Sequence, residues 1–269
     1  MSGGDPIHKC FNLPAKIPFM NFDLAVIGGL GFSLEGLADE VETPYGRLPF
    51  IRSRMNTIKV AFFSRHGESN LPPHKVNYRA LVSAAKMSGA GAVISINTVG
   101  SMAGHPPGRI FIPSDFVEFT SCRPNTFFDD RAVHVDMSQP YCPALRSALA
   151  GAAQALGRQA AEGVYVCAQG PHLESPSQIR MMRQFGDVVG MTGYPEVVLA
   201  REAGLCYASL CLVTNPAAGM SENRLALTDI SDLMKNSHDT LMEIVQQAAL
   251  LFPAERSCRC RSALDDASI

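Results

Sequence analysis

The chain has 269 residues, 46% of them hydrophobic, enough to bury a core as one large domain or two small ones. Its 23 Lys and Arg against 25 Asp and Glu leave a formal charge of -2, so it lacks the basic footprint that binds nucleic acid. No apolar run approaches the roughly 20 residues of a membrane span, the Pro-interrupted start has no secretory apolar stretch, and the irregularly spaced cysteines do not read as a disulfide framework. These features predict a soluble protein of the reducing cytoplasm.

Residues 1–21, broken by Pro6, Pro14 and Pro18, read as an N-terminal extension to a single domain over 22–252. Within that domain, short β-branched runs alternate with helical patterns, which predicts an α/β fold. The arrangement expected is a three-layer α/β/α sandwich around a mixed, largely parallel sheet. Strands are predicted at Leu24–Gly28, Ile58–Ser64, 92–97, 164–168, 188–191 and 206–214. A helical stripe over 76–89 carries Leu81, Ala84 and Ala85 and stops at Gly89, and 143–157 is a second Ala/Leu-rich helix. From Thr228, placed to cap, Ile230, Leu233, Met234, Leu241, Ile244, Val245 and Ala248 keep helical spacing, with Asp229 at the positive helix end. After Pro253 the periodicity is lost, so 253–269 reads as a frayed polar tail. Its Cys258-Arg259-Cys260 pair is incomplete as a zinc site, and no metal centre is predicted.

Several strand ends carry groups able to meet an anion. Leu24–Gly28 runs into Gly29-Leu30-Gly31, whose backbone N–H groups are free to cradle one. This is no Walker loop, and Leu34 breaks the dinucleotide fingerprint. The second strand ends in Arg65-His66, a guanidinium fork suited to two phosphate oxygens beside an imidazole able to donate a third hydrogen bond. Asn97-Thr98 and Met191-Thr192 end two more. Glu174, after Leu173, and Asn215, before Pro216, are polar interruptions of apolar surroundings. Each pattern taken alone also has a structural explanation: a tight turn, a surface pair, a helix-start acid, a strand cap. The absence of a G-x-S-x-G elbow argues against a serine nucleophile.

Taken in order, IGGLG, FFSRHGE, PPHKVNYRA, INTVGS, GPHLES, GMTGYPEVVLAREAGLCYASL and VTN closely resemble the trimeric purine nucleoside phosphorylase and methylthioadenosine phosphorylase family, from about Leu24 to Asn236. The resemblance implies phosphorolysis: inorganic phosphate attacks C1′ of a purine nucleoside and releases the base. Phosphate is then the nucleophile and co-substrate, with no metal or organic cofactor. It assigns phosphate binding to Gly29, Leu30, Gly31, Arg65, His66, Asn97, Thr98 and Thr192, and ribose contact to Met191. Leu30 stands where the family usually has Thr or Ser, and Ser33 is the nearest replacement hydroxyl.

In the same family, members acting on 6-aminopurines carry Asp at the positions of Asn215 and Ala217. Both acids are absent here. Asn215 can donate to O6 or N7 of a 6-oxopurine, and the Glu174 carboxylate can accept its N1 proton, whereas adenine offers N1 as a second acceptor. Leu173 joins them in the substrate pocket, and Asn215, His66 and Glu174 form the expected catalytic set. The PPHKVNYRA segment and the apolar Leu225, Leu227 and Ile230 suit a 5′-methylthio group. His134 matches the residue that relatives extend into a neighbouring subunit, implying a homotrimer. The expected reaction converts S-methyl-5′-thioinosine and phosphate to hypoxanthine and 5-methylthioribose 1-phosphate. Methylthioadenosine phosphorolysis, and nucleoside binding without catalysis, remain the alternatives.

Overall fold

The structure, a computed structural model, describes residues 20–29, 31–222, 227–265 and 267, without the side chain of Leu227. Leu30 and Leu225 lie outside the described residues, as does almost all of the expected 1–21 extension. Among the described residues nine strands are formed: β1 (Leu24–Gly28), β2 (Leu37–Thr43), β3 (Gly46–Met55), β4 (Ile58–Ser64), β5 (Ala92–Ser101), β6 (Ile110–Phe119), β7 (Ala160–Ala168), β8 (Val188–Gly190) and β9 (Cys206–Pro216). The helices are α1 (Tyr78–Met87), α2 (Pro143–Ala155), α3 (Pro176–Met182), α4 (Gly193–Glu202) and α5 (Leu227–Leu251).

The two-residue alternation of β1 builds both faces of the core. Leu24 and Val26 join the cluster under α2 and α5, whereas Ala25 and Ile27 join the cluster under α1 and α4. All four are at most 3% exposed, as befits a central strand flanked in parallel by β4 and β5. The fold is thus mixed α/β, with helices on both sheet faces. The sheet order is β2-β3-β4-β1-β5-β8-β7-β6-β9, and β9 also pairs with β5, so five strands close into a ring at one end. The ring packs Phe111, Tyr165, Cys167, Cys211 and Val213 together.

Strands β1, β4, β5, β7, β8 and β9 match expectation, with β5, β7 and β9 running longer, whereas β6 was not predicted. The β2–β3 hairpin was not predicted because it places charged residues such as Glu40, Glu42 and Arg47 on an exposed face and buries few side chains. Helix α3 is short, started by a Ser175–Gln178 capping box. Thr228 is not a cap: α5 starts at Leu227, which puts Thr228 inside its first turn with Asp229. Residues 254–265, the described part of the expected tail, are not frayed either. Arg256 donates to the Gly91 carbonyl at 2.8 Å, and Cys260 is only 2% exposed. Among the described residues, no helix is long and apolar enough to cross a membrane.

Candidate active site

Parallel pairing of β4, β1 and β5 sets the C-terminal ends of three strands side by side, with Gly28 in register with Ser64. Loops leaving such ends are where α/β sheets bind ligands. Here they wall a cavity of about 280 Å³ with Gly29, Arg65, His66 and Thr98. Across from β5, the end of β8 supplies Met191 and Thr192, and the end of β9 supplies Thr214, Asn215 and Ala217. The loop after β7 adds Leu173 and Glu174, and Ile230 of α5 adds an apolar side chain.

The Arg65 guanidinium is committed within the protein. Its Nε and Nη2 donate to the two carboxylate oxygens of Glu196, Nη2 also donates to Ser95 Oγ at 2.6 Å, and Nη1 donates to the Ile96 carbonyl at 3.1 Å. Both side chains are at most 1% exposed. Burial alone would depress the arginine pKa, but the Glu196 charge and hydrogen bond overcome that and raise it. The fork expected to chelate phosphate is therefore spent on Glu196. One N–H of Nη1 remains, and Nη1 lies beside Gly29, where a Cβ would come within 2.9 Å of it.

Further corrections concern the other anion groups. His66 Nδ1 lies 2.7 Å from the Leu71 carbonyl, which only accepts, so Nδ1 carries a proton. Burial lowers the His66 pKa, favouring the neutral ring, whose Nε2 then accepts rather than donates. Asn97 does not line the cavity: strand alternation turns it inward, where Oδ1 accepts from Thr192 Oγ1 at 2.9 Å and Nδ2 donates to Ser95 Oγ at 3.1 Å. It positions Thr192 instead of meeting an anion. Gly31, in the left-handed region at φ 75°, is also outside the lining, as is exposed Ser33, whose carbonyl contacts His238 Nε2 at 2.8 Å. His134 is exposed and outside this cavity, with its N–H donating to the Ala267 carbonyl at 2.8 Å.

At the other polar wall, Glu174 Oε1 is buried without a hydrogen-bond partner. Burial raises the Glu174 pKa above the ordinary carboxyl value of 4.5. Asn215 is oriented by its neighbours: Oδ1 accepts from Thr214 Oγ1 at 2.8 Å, and Nδ2 donates to the Pro216 carbonyl at 2.8 Å. A flipped amide would set carbonyl against carbonyl, so the network presents the remaining Nδ2 proton as a donor. The site therefore offers an unpaired acceptor at Glu174 and a fixed donor at Asn215.

The sequence reading missed Glu196 and Arg123. Arg123 donates from Nη1 to the carbonyls of Met191 at 2.7 Å and Tyr194 at 2.9 Å, and from Nη2 to that of Gln169 at 2.7 Å. It thereby ties the loop after β7 to the end of β8. Glu196 is an acid in the first turn of α4 and is fully buried, a placement with no local signal beyond its apolar surroundings in EVVLA. Asn70, Leu71, Pro72 and Pro73 also line the cavity and were not selected.

An α/β sheet whose strand ends close on a small cavity, polar on two walls, defines an enzyme-type site for a small ligand. The chain belongs to the phosphorylase superfamily, whose pattern matches residues 23–249. It is 44% identical over 250 residues to a probable S-methyl-5′-thioinosine phosphorylase of Methanosarcina acetivorans, covering 92% of this chain and 97% of that protein. It is 40% identical over 261 residues to a 6-oxopurine nucleoside phosphorylase of Pyrococcus furiosus, covering 91% and 98%. A methylthioadenosine phosphorylase crystal structure from an antarctic soil metagenomic library superposes with a TM-score of 0.85 at 33% identity, covering 93% of each chain.

Proposed function

We propose that the enzyme phosphorolyses a 5′-methylthio purine nucleoside with a 6-oxopurine base, converting S-methyl-5′-thioinosine and phosphate to hypoxanthine and 5-methylthioribose 1-phosphate. The observation that carries this reading is the buried, unpartnered Oε1 of Glu174 in the cavity that also holds Asn215. A 6-oxopurine has an N1 proton for the carboxylate and O6 and N7 acceptors for the amide. Adenine would set its N1 lone pair against Glu174. A mispaired buried polar group costs about 1–3 kcal/mol or more. The names of the curated relatives support the same choice.

In the reaction, a phosphate oxygen attacks C1′ as the C1′–N9 bond breaks, and the bonding pair passes into the purine. The Asn215 Nδ2 donor stabilises that developing charge, Glu174 holds the base through its N1–H, and a solvent proton reaches the base. Phosphate meets the remaining Arg65 N–H, Thr98 and Thr192, the last exchanging its bond to Asn97 for one to the anion. Neutral His66 accepts a hydrogen bond at Nε2 from the P–OH of monohydrogen phosphate, which keeps its proton. Ile230, Leu71 and Pro72 give the 5′ group an apolar surface. We assign exposed His134 to the site of a neighbouring protomer in a homotrimer, working in the cytoplasm.

The test incubates equimolar methylthioinosine and methylthioadenosine with the enzyme, with and without phosphate, and measures both bases. Phosphate-dependent hypoxanthine in excess is expected. Predominant adenine would overturn the base preference, and release of neither base would overturn phosphorolysis.

A further inference from the structure

Cys142, Cys206, Cys258 and Cys260 arrive from three separate stretches of chain, and their sulfurs all lie within 4.8 Å of one another. Cys142 is the N-cap of α2. Cys206 opens β9, anchored by its N–H to the Gly91 carbonyl at 3.1 Å. Cys258 and Cys260 lie in the turns after α5. The C-x-C pair that was incomplete along the sequence is thus completed by folding.

We propose that these four cysteines form a structural zinc tetrathiolate that fastens the C-terminal segment to the start of α2 and the start of β9.

The geometry suits one ion. A tetrahedron with Zn–S bonds of about 2.3 Å has S···S edges of about 3.8 Å. The Cys206 and Cys258 sulfurs are 3.5 Å apart, and none of the pairs exceeds 4.8 Å, so small side-chain adjustments close the cage. Cys142, Cys206 and Cys260 are at most 2% exposed, which leaves no open coordination position and marks a structural role over a catalytic one. Zinc is the ion of choice because it accepts four thiolates and imposes no further geometric preference.

The charges around the sulfurs separate this reading from that of four core thiols. Arg256 Nη1 lies 3.5 Å from Cys206 Sγ, and Arg201 Nη1 lies 3.8 Å from Cys260 Sγ. Backbone carbonyls hold both guanidiniums in place, that of Gly91 accepting from Arg256 Nη1 at 2.8 Å and that of Asp136 from Arg201 Nε at 3.1 Å, so both positive charges are fixed beside the sulfurs. Zinc with four thiolates carries two negative charges, which these two arginines balance. The α2 N-terminus also favours a thiolate at Cys142. On binding, four S–H bonds give up protons to solvent as four Zn–S bonds form.

The cluster is distinct from the active site. None of its cysteines lines the cavity, and at roughly 3.3 Å per residue the strand β9 separates Cys206 from Asn215 by about 30 Å. The ion would stabilise the fold without touching substrate.

The test uses tag-free enzyme purified under reducing conditions, with metals quantified by mass spectrometry. About one zinc per chain is expected, absent in the Cys258→Ser/Cys260→Ser protein and retained in Cys122→Ser, an exposed thiol outside the cluster. Cobalt exchanged for zinc should show sulfur-to-cobalt charge transfer and intense tetrahedral bands. Chelation should lower Tm, and added zinc should restore it, so the claim does not depend on a variant folding. Reduced enzyme without zinc and with a Tm indifferent to added zinc would overturn the proposal. So would disulfides among these cysteines, seen as mass loss before reduction, a ferric chromophore in place of zinc, or zinc retained by the double variant.

Discussion

Arg65, at the end of β4, is chelated through Nε and Nη2 by Glu196 in the first turn of α4, 131 positions along the chain, with both side chains buried. The pair contributes little net charge to the cavity, so the arginine acts as an oriented donor rather than a free cation. Ser95 Oγ and Tyr207 Oη both donate to Glu196 Oε2, at 2.8 and 3.0 Å, and complete the acceptor side. Buried pairs with such support are costly to break from one side.

Glu196→Gln leaves Arg65 charged, buried and half-chelated. We expect a loss of about 3–5 kcal/mol, read from urea unfolding midpoints at unchanged slope. A loss below about 1 kcal/mol, within the range of exposed pairs, would show that water or rearrangement compensates the arginine.

Base recognition separates at two positions. Glu174→Gln should reduce kcat/KM for methylthioinosine by about 10²–10³ and affect methylthioadenosine less, because the amide no longer accepts with a full charge. Asn215→Asp should shift the product ratio toward adenine, since an ionised Asp only accepts and pairs with a 6-amino group. Equal effects on both substrates in both variants would remove these residues from base choice.

Gly29 has no room for a side chain. A Cβ there would stand 2.7 Å from the Ile96 carbonyl oxygen and 2.9 Å from Arg65 Nη1. Gly29→Ala should therefore displace the arginine, raising the phosphate KM by tenfold or more and lowering Tm. Unchanged phosphate saturation would exclude the Arg65 Nη1 contact.

The two perturbed cavity groups give opposite pH effects on stability. For His66, the folded pKa lies below 6.5, so the unfolded chain binds more protons as pH falls through 6.5, and stability is lost down to the folded value. For Glu174, the folded pKa lies above 4.5, so its contribution is greatest below 4.5 and is lost as pH rises through the folded value. Profiles of Tm against pH for His66→Gln and Glu174→Gln should each lack one of these slopes. A His66→Gln profile parallel to the parent would show that His66 titrates normally.

Local pattern made β1, β4, α1 and α2 legible, because apolar periodicity and the left-handed Gly89 that closes α1 act within a few residues. Strand-end placement similarly brought Arg65, His66, Thr98, Thr192 and Asn215 into consideration before their neighbours were known. The hairpin β2–β3 was not legible, since a solvated sheet face has charged alternation and a small core contribution.

What tertiary structure decided were partnerships across long separations. Sequence supplied an arginine fork, an amide and a C-x-C pair, but each chemical meaning depends on what stands opposite. Glu196 takes the fork, Thr214 and Pro216 fix the amide as a donor, and Cys142 and Cys206 join Cys258 and Cys260. The sequence itself determined the α/β pattern and the set of reactive side chains, because those follow from local periodicity and composition. Only the closed sheet, by burying distant polar groups together, decided which of them remain free to meet a ligand.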